Sequence, residues 1–126
     1  MPTDRSRLGS RGERLAQEHL GNAGYQIVET NYRCQWGEVD IIARDDDSLV
    51  FVEVRTRRGT SFGTPEESIT KEKAQRLIAT AETYLDEHQA SAAQWRIDFI
   101  SVEMDHQGRL KPLRHIKNAV EGPSTP

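Results

Sequence analysis

The sequence predicts one α/β domain in which helices flank a mixed central sheet. A helix-period segment comes first, three strand-period segments follow in a row, and a second, long helix-period segment precedes a fourth strand. Three consecutive strands form an antiparallel meander, and the long helix acts as a crossover that places the fourth strand parallel to the third. A chain of 126 residues suits a single domain. Its ends, 1–6 and 121–126, are expected to be flexible.

The first helix is expected over Leu8–Gly21, where apolar residues that include Leu15 and Leu20 fall on one stripe at helical spacing. Gly9 and Gly12 are expected to weaken its first part, because glycine is a poor helix former.

The third strand is rich in β-branched and aromatic residues, which favour extended structure. Val50, Val52 and Val54 line one of its faces, whereas the other face begins apolar and then becomes charged at Glu53 and Arg55. A strand apolar on both faces is usually central and covered on both sides, so this charge departs from the pattern. The three strands are expected at Tyr25–Arg33, Glu38–Arg44 and Leu49–Arg57, with turns at Cys34–Gly37 and Asp45–Ser48.

The second half of the chain begins with a loop at Arg58–Pro65. The long helix then runs from Pro65 or Ser68 to His88, and the fourth strand is Gln94–Glu103. Over Arg109–Val120 the periodicity is weak, and we expect a short strand and a terminal turn.

The register of the second hairpin follows from its turn. If Asp45–Ser48 closes the hairpin symmetrically, Ile42 faces Phe51, Asp40 faces Glu53, and Glu38 faces Arg55. A slip of one residue would mismatch the apolar faces of the two strands. Asp40 and Glu53 would then have Cβ atoms about 4.5–5.5 Å apart.

Two carboxylates this close destabilise each other unless a third group compensates. A divalent cation, a shared proton or an arginine could do so, and Mg²⁺ binds through one or two carboxylates together with water and phosphate oxygens. The alternative is a plain cross-strand ladder of charges on a solvated face. The apolar Ile42 and Phe51 on the same face count against that alternative.

Around these acids the sequence resembles the YraN-like bacterial family of predicted endonucleases. The resemblance covers nearly the whole chain and is strongest in the two strands that carry the acids. The matching stretches are Gly12–Ala16, Asn31–Arg33, Gly37–Ala43, Leu49–Arg57, Lys73, Ala81–Leu85, Arg96–Asp98 and His115–Val120.

The resemblance implies a restriction-endonuclease-like fold of the PD-(D/E)xK superfamily, similar to archaeal Holliday-junction resolvases. It also implies a nuclease site that uses Mg²⁺ or Mn²⁺. Asp40 matches the motif aspartate, Glu53 the motif acid, and Glu13 the additional acid on the first helix of the resolvases. The implied metal ligands are therefore Glu13, Asp40 and Glu53.

Arg55 stands where the superfamily usually has a lysine that positions or activates the attacking water. Arginine stays protonated and cannot act as a base, but it can orient a phosphate or stabilise developing charge. Lys73, on the long helix, could supply the missing lysine, or it could be an ordinary surface residue. The predicted catalytic residues are Asp40, Glu53, Arg55 and Lys73.

The net charge is −3, so the overall charge does not indicate a nucleic-acid binder, but basic residues cluster along the chain. We expect phosphate contacts from Arg11, Arg57, Arg58, Lys71 and Arg76. Tyr32 and Trp36 flank the acidic strand and could stack on a base, although packing is the commoner role. Asp98 is expected to be structural, and His19, His88, His106 and His115, which lack metal-ligand spacing, to lie at the surface or in caps.

The leading functional hypothesis is a metal-dependent endonuclease acting on DNA, including structured or branched DNA. The alternatives are a nucleic-acid-binding module that kept the fold without efficient cleavage, and a protein-interaction domain. The sequence contains no apolar run of membrane-spanning length and no secretory signal, so the cytoplasm is the expected compartment and no membrane partner is expected. A homodimer is compatible with the sequence.

Overall fold

The computed structural model describes residues 4–59, 69–89 and 94–120. Within them lie two helices and five strands. The helices are α1 (Asp4–Asn22) and α2 (Lys71–Glu87), and the strands are β1 (Gln26–Cys34), β2 (Gly37–Asp45), β3 (Ser48–Arg58), β4 (Gln94–Met104) and β5 (Arg114–Val120).

The five strands form one mixed sheet in the order β1-β2-β3-β4-β5. The first three strands are an antiparallel meander, and β4 lies parallel to β3 after the α2 crossover. The predicted restriction-endonuclease-like arrangement is therefore confirmed. β5, which the sequence indicated only weakly, completes the sheet antiparallel to β4.

One helix covers each face of the sheet, which explains why β3 is apolar on both sides. Leu77 and Leu85 of α2 pack in one cluster with Ile42 and Phe51. Ala16 and Leu20 of α1 belong to a second cluster on the opposite face, with Ile41, Val50, Val52 and Ile100. Burying both faces of the central strands gives two apolar layers in a chain of modest size.

Helix α1 begins at Asp4, earlier than the predicted Leu8. Gly12 contributes to its packing on the sheet, because a Cβ at this position would lie 1.8 Å from Oγ1 of Thr56 on β3. The glycine that we expected only to weaken the helix therefore lets its backbone approach the strand closely.

Helix α2 begins at Lys71, after both predicted starts. Thr70 is its N-cap, and the Thr70 hydroxyl accepts a hydrogen bond from the Lys73 N–H at 3.1 Å. Most of the predicted loop at Arg58–Pro65 and the predicted starts at Pro65 and Ser68 lie outside the described residues, as do 1–3 and 121–126 of the predicted flexible ends. In the described parts of the chain, neither helix is long and apolar enough to span a membrane.

A candidate metal-binding acid cluster

The acid cluster lies where β2 and β3 separate. Their pairing follows the predicted register from Asp45–Ser48 to Ile41–Val52 and ends one residue before the pair expected between Asp40 and Glu53. At that point Oδ2 of Asp40 accepts a hydrogen bond from the Val54 N–H at 2.8 Å. The carboxyl of Asp40 thus binds a backbone donor of β3 beyond the last backbone pair.

Asp40 is largely buried beside a second carboxyl group. Burial, followed by the hydrogen bond and the charge of Glu53, raises the pKa of Asp40 to about 8, although the hydrogen bond from Val54 acts in the opposite direction. A buried acid with a like-charged neighbour is typical of functional sites, because such an arrangement costs stability.

Lys73 extends from α2 to the same cluster. Its Nζ lies 2.7 Å from Oε2 of Glu53, and both side chains are mostly buried. The N-cap at Thr70 fixes the first turn of α2 and thereby the position of this lysine. Lys73 is therefore not a free surface lysine, and the structure brings together three of the four predicted catalytic residues, Asp40, Glu53 and Lys73.

A small cleft opens beside Glu53 and Lys73. It has a volume of about 130 Å³, and its lining includes Glu38, Arg76 and Thr80. At roughly 30 Å³ for each water molecule, this space holds about four waters. That is room for a partly hydrated cation but not for a nucleotide.

Glu13 approaches the cluster from α1, as the resemblance implied. Burial first, and then the charges of Glu38 and Glu53, raise the pKa of Glu13. Among the described residues, however, no three His, Cys, Asp or Glu side chains are close enough to enclose a metal ion. The implied ligand set of Glu13, Asp40 and Glu53 is therefore not drawn together in this structure.

Arg55 is two residues beyond Glu53 on β3, where strand alternation places it on the same face. The predicted pair between Glu38 and Arg55 is wrong, because the β2–β3 pairing ends at Ile41–Val52. On the other side of β2, Glu38 pairs with Arg33 of β1, and the ion pair between their side chains measures 3.3 Å.

The predicted phosphate-binding residues fall into two groups. Lys71 and Arg76 are exposed on α2, and Arg76 lines the cleft. The other group lies near Met104: Nη1 of Arg11 contacts the Met104 sulfur at 3.7 Å, and Arg58 pairs with Met104 across the sheet. Arg58 is five residues beyond Glu53, which is about 17 Å along a strand.

Arg57 belongs to the second group but is mostly buried. Its Nη2 lies 3.8 Å from Oε1 of Glu103. This position fits a structural cation better than the exposed phosphate contact that we expected.

The sequence missed a second polar cluster, centred on Asp98. This fully buried carboxylate accepts hydrogen bonds from Arg96 Nε at 2.9 Å, from the Asn118 N–H at 3.0 Å and from His115 Nε2 at 2.7 Å. The expected structural role fits these contacts. His115, which we expected at the surface or in a cap, instead links Asp98 to His19, whose Nε2 lies 3.1 Å from His115 Nδ1. These residues are far apart in sequence, so no local pattern reveals the cluster.

The fold and the acid cluster together define a small nuclease-like α/β domain. The chain belongs to the uncharacterised protein family UPF0102, whose family model matches residues 12–102. This family is the YraN-like group of predicted endonucleases that the motifs resemble.

Relatives align along most of their length. A UPF0102 protein of Dehalococcoides mccartyi is 43% identical over 120 residues, which cover 95% of this chain and 98% of the relative. One from Roseiflexus castenholzii is 44% identical and covers 93% and 95% of the two chains, and one from Nocardia farcinica is 45% identical and covers 90% and 89%.

Among solved structures, the chain is similar to SfsA of Pyrococcus furiosus in complex with Ca²⁺. The TM-score is 0.41 at 14% identity, and the alignment covers 94% of this chain and 65% of that one.

Proposed function

We propose that this protein is a metal-dependent endonuclease that hydrolyses DNA phosphodiesters, with structured or branched DNA among its substrates. The observation that carries the proposal is the position of Lys73, whose Nζ lies 2.7 Å from Glu53 beside the carboxyl pair. Two acids and a lysine are the functional groups that the superfamily uses, although here the lysine comes from a helix.

The carboxyl pair fits a hard divalent cation. Asp40 and Glu53 offer oxygen ligands, which Mg²⁺ and Mn²⁺ prefer, and Mg²⁺ needs only one or two carboxylates when water and phosphate complete its shell. The cleft beside Glu53 has room for that water. A bound divalent cation would supply positive charge that polarises the phosphodiester and favours ionisation of water.

The cationic side chains have two separate roles, phosphate binding and positioning of the attacking water. Arg55 and Arg76 would bind phosphate oxygens and stabilise the charge that develops on them. Lys73 would hold the attacking water by donating a hydrogen bond to it, and its ammonium would stabilise the negative charge that develops at the phosphate. Lys73 would thus supply, from α2, the lysine that the motif position lacks.

The test is a cleavage assay with Mg²⁺ or Mn²⁺ over single-stranded, blunt duplex, flapped and four-way-junction DNA. Asp40→Asn and Lys73→Met should each reduce the cleavage rate at least about 100-fold, as expected for loss of a metal-binding or charge-stabilising group. Lys117→Met is the matched control, because Lys117 is an exposed lysine on β5, and it should cleave at the wild-type rate.

Two results would count against the proposal. Cleavage that survives Asp40→Asn would point to a contaminating nuclease. DNA binding without cleavage under any metal condition would favour the binding-module alternative, in which Lys73 only neutralises Glu53.

A further inference from the structure

We propose that Trp36 is a stacking platform for an unpaired base of the nucleic acid, beside the acid cluster. This inference rests on the proposed function in that it takes nucleic acid as the ligand. It extends that function by naming the structural feature of the substrate that the site recognises, which is a base outside a duplex.

A tight turn presents the tryptophan. Cys34 pairs with Gly37 and leaves a two-residue loop of Gln35 and Trp36 between β1 and β2. The Trp36 N–H donates a hydrogen bond to the Cys34 sulfur at 3.4 Å, and Gly37 has a φ of 151°. A backbone held in so short a loop loses little conformational freedom when a ligand binds.

The turn also packs against α2. A Cβ at Gly37 would lie 3.4 Å from Oγ1 of Thr80 and 4.0 Å from the Arg76 Cβ, so the strand passes close to the helix at this point. Trp36 is nevertheless 51% exposed, and among the described residues the other exposed large hydrophobic side chains are the aliphatic Val28, at 40%, and Leu110, at 46%. An exposed aromatic ring on a fixed turn is a candidate contact surface.

The groove beside Trp36 and the acid cleft share one lining residue, Arg76. The groove has a volume of about 710 Å³ and is lined by Trp36, Glu72, Gln75, Arg76 and Ala79. Arg76 also lines the smaller cleft that contains Glu53 and Lys73. Grooves of about 300–1,000 Å³ accommodate small organic ligands, so a nucleoside fits here while the narrow cleft suits only the ion and its water.

Charge orients the ligand in this groove. Glu72 and Gln75 can accept hydrogen bonds from the amino groups of a base, and Glu72 repels phosphate. Arg76, at the border with the acid cleft, attracts phosphate. The base would therefore lie on Trp36 and its phosphate over Arg76, towards Glu53. Bases in a duplex are stacked on their neighbours, so only an unpaired or extruded base can occupy the ring face.

The test measures binding of two DNA forms in the presence of a chelator, so that cleavage does not interfere. The probes are a mixed-sequence single strand of about ten nucleotides, within the usual range for single-strand sites, and a blunt hairpin duplex of the same sequence. In the Trp95→Phe background Trp36 is the remaining tryptophan of the two in the chain, so its fluorescence reports on the groove. The single strand should quench this fluorescence more than the duplex does.

Substitutions then isolate the ring. Trp36→Ala should weaken single-strand binding roughly five- to 100-fold, the range found for loss of one stacked base, and Trp36→Phe should retain most of the affinity. The matched control is Leu110→Ala, because Leu110 is 46% exposed and does not line the groove, and it should bind as the wild type does.

If the wild type binds DNA, three results would overturn the inference. Trp36→Ala could leave single-strand binding unchanged, or it could weaken duplex binding equally. Trp36→Ala could also abolish a wild-type dimer in sedimentation without affecting DNA binding, which would assign the surface to a second copy of the chain. Trp36-dependent binding without metal-dependent cleavage would support the inference while the nuclease proposal fails, and no DNA binding by the wild type would defeat both.

Discussion

Asp40 is half-buried and Asp98 is fully buried, and their surroundings shift their pKa values in opposite directions. Burial alone would raise the pKa of Asp98, but hydrogen bonds from His115, Arg96 and the Asn118 N–H lower it overall. Asp40 receives one backbone N–H and faces a second acid, so its pKa rises. Asp98 is thus a structural carboxylate whose hydrogen-bond partners stabilise its charge. Asp40 has fewer such partners, and a bound cation would stabilise its charged form.

Thermal melts of Asp40→Asn and Glu53→Gln test whether a cation binds between these two carboxyl groups. Without metal, Asp40→Asn should be neutral or stabilising because the amide keeps an acceptor for the Val54 N–H and cannot ionise beside Glu53, and Glu53→Gln should be mildly destabilising because Lys73 loses its partner. With Mg²⁺ or Mn²⁺ at 100 times its Kd, the wild type should gain about 2.7 kcal/mol of stability. Neither variant should gain as much, and an equal gain in all three proteins, or in none, would contradict the carboxyl-pair site.

His19 gives the Asp98 cluster a predicted pH dependence. Burial first, and then the neighbouring His115, lower the pKa of His19. A group whose pKa is lower in the folded than in the unfolded state contributes stability above its unfolded pKa, about 6.5, and that stability is lost as pH falls through the folded value. His19 faces His115, which contacts Tyr25 and Asp98, and the two imidazole nitrogens are only 3.1 Å apart, so a charge on His19 would be poorly solvated.

The measurement is the melting temperature of the wild type and of His19→Gln between pH 7.5 and 5, a range that brackets the unfolded histidine pKa of about 6.5. The wild type should lose stability as pH falls through this range, and His19→Gln should lose less. If the melting temperatures of the two proteins change with pH in parallel, protonation of His19 does not affect the stability of the fold.

At the scale of elements, the two helices have different functions. Helix α1 packs through a bare backbone surface at Gly12, next to Thr56, and brings Glu13 towards the acids. Helix α2 covers the other face through Leu77, Tyr84 and Leu85 and delivers Lys73 and Arg76 to the cleft. The site therefore depends on how closely each helix approaches β3.

Two glycines on α1 test how closely this helix packs on β3. Alanine substitutions at the two positions should change the free energy of unfolding in opposite directions. Gly9→Ala should stabilise the protein by about 0.5–1 kcal/mol, because alanine is the better helix former and a Cβ at this position meets no atom within 4 Å. Gly12→Ala should destabilise it by about 1–3 kcal/mol, because its Cβ would collide with Thr56 and force α1 away from β3. Urea unfolding curves measure both effects, and a stabilising Gly12→Ala would contradict the packing described.

On the scale of the whole molecule, the net charge is −3, but cationic residues are concentrated in the N-terminal half of α2. The first half of α2 carries three cationic residues, Lys71, Lys73 and Arg76, against the one acid Glu72, and the second half carries the acidic Glu82, Asp86 and Glu87. A polyanion is therefore attracted to one end of the helix and repelled from the other. Such binding is mostly electrostatic and independent of base sequence.

Salt dependence follows from this arrangement. If Arg55, Lys71 and Arg76 each contact one phosphate, the logarithm of the single-strand association constant should fall against the logarithm of salt concentration with a slope of about −2. Arg76→Gln should reduce the magnitude of the slope by roughly 0.7. Titrations at several salt concentrations measure the slope, and tight binding that ignores salt but varies with base sequence would contradict the prediction.

The sequence determined the local structure and the pairing of neighbours in the chain. Alternating apolar residues and the short turn at Asp45–Ser48 fixed the β2–β3 register as far as Ile41–Val52, because strand alternation and turn length are local properties. The same register predicted that Asp40 and Glu53 approach each other. The segment order predicted that β4 lies parallel to β3, because a helix crossover permits it.

Only the tertiary structure decided which distant groups meet. The Lys73–Glu53 ion pair depends on the angle and depth at which α2 packs, and the link from His19 through His115 to Asp98 joins α1, β5 and β4. The exposure of Trp36 likewise depends on the close passage of its turn over α2. Contacts between elements depend on packing across the sheet, and the periodicity of one segment contains no information about the side chains that another segment brings to it.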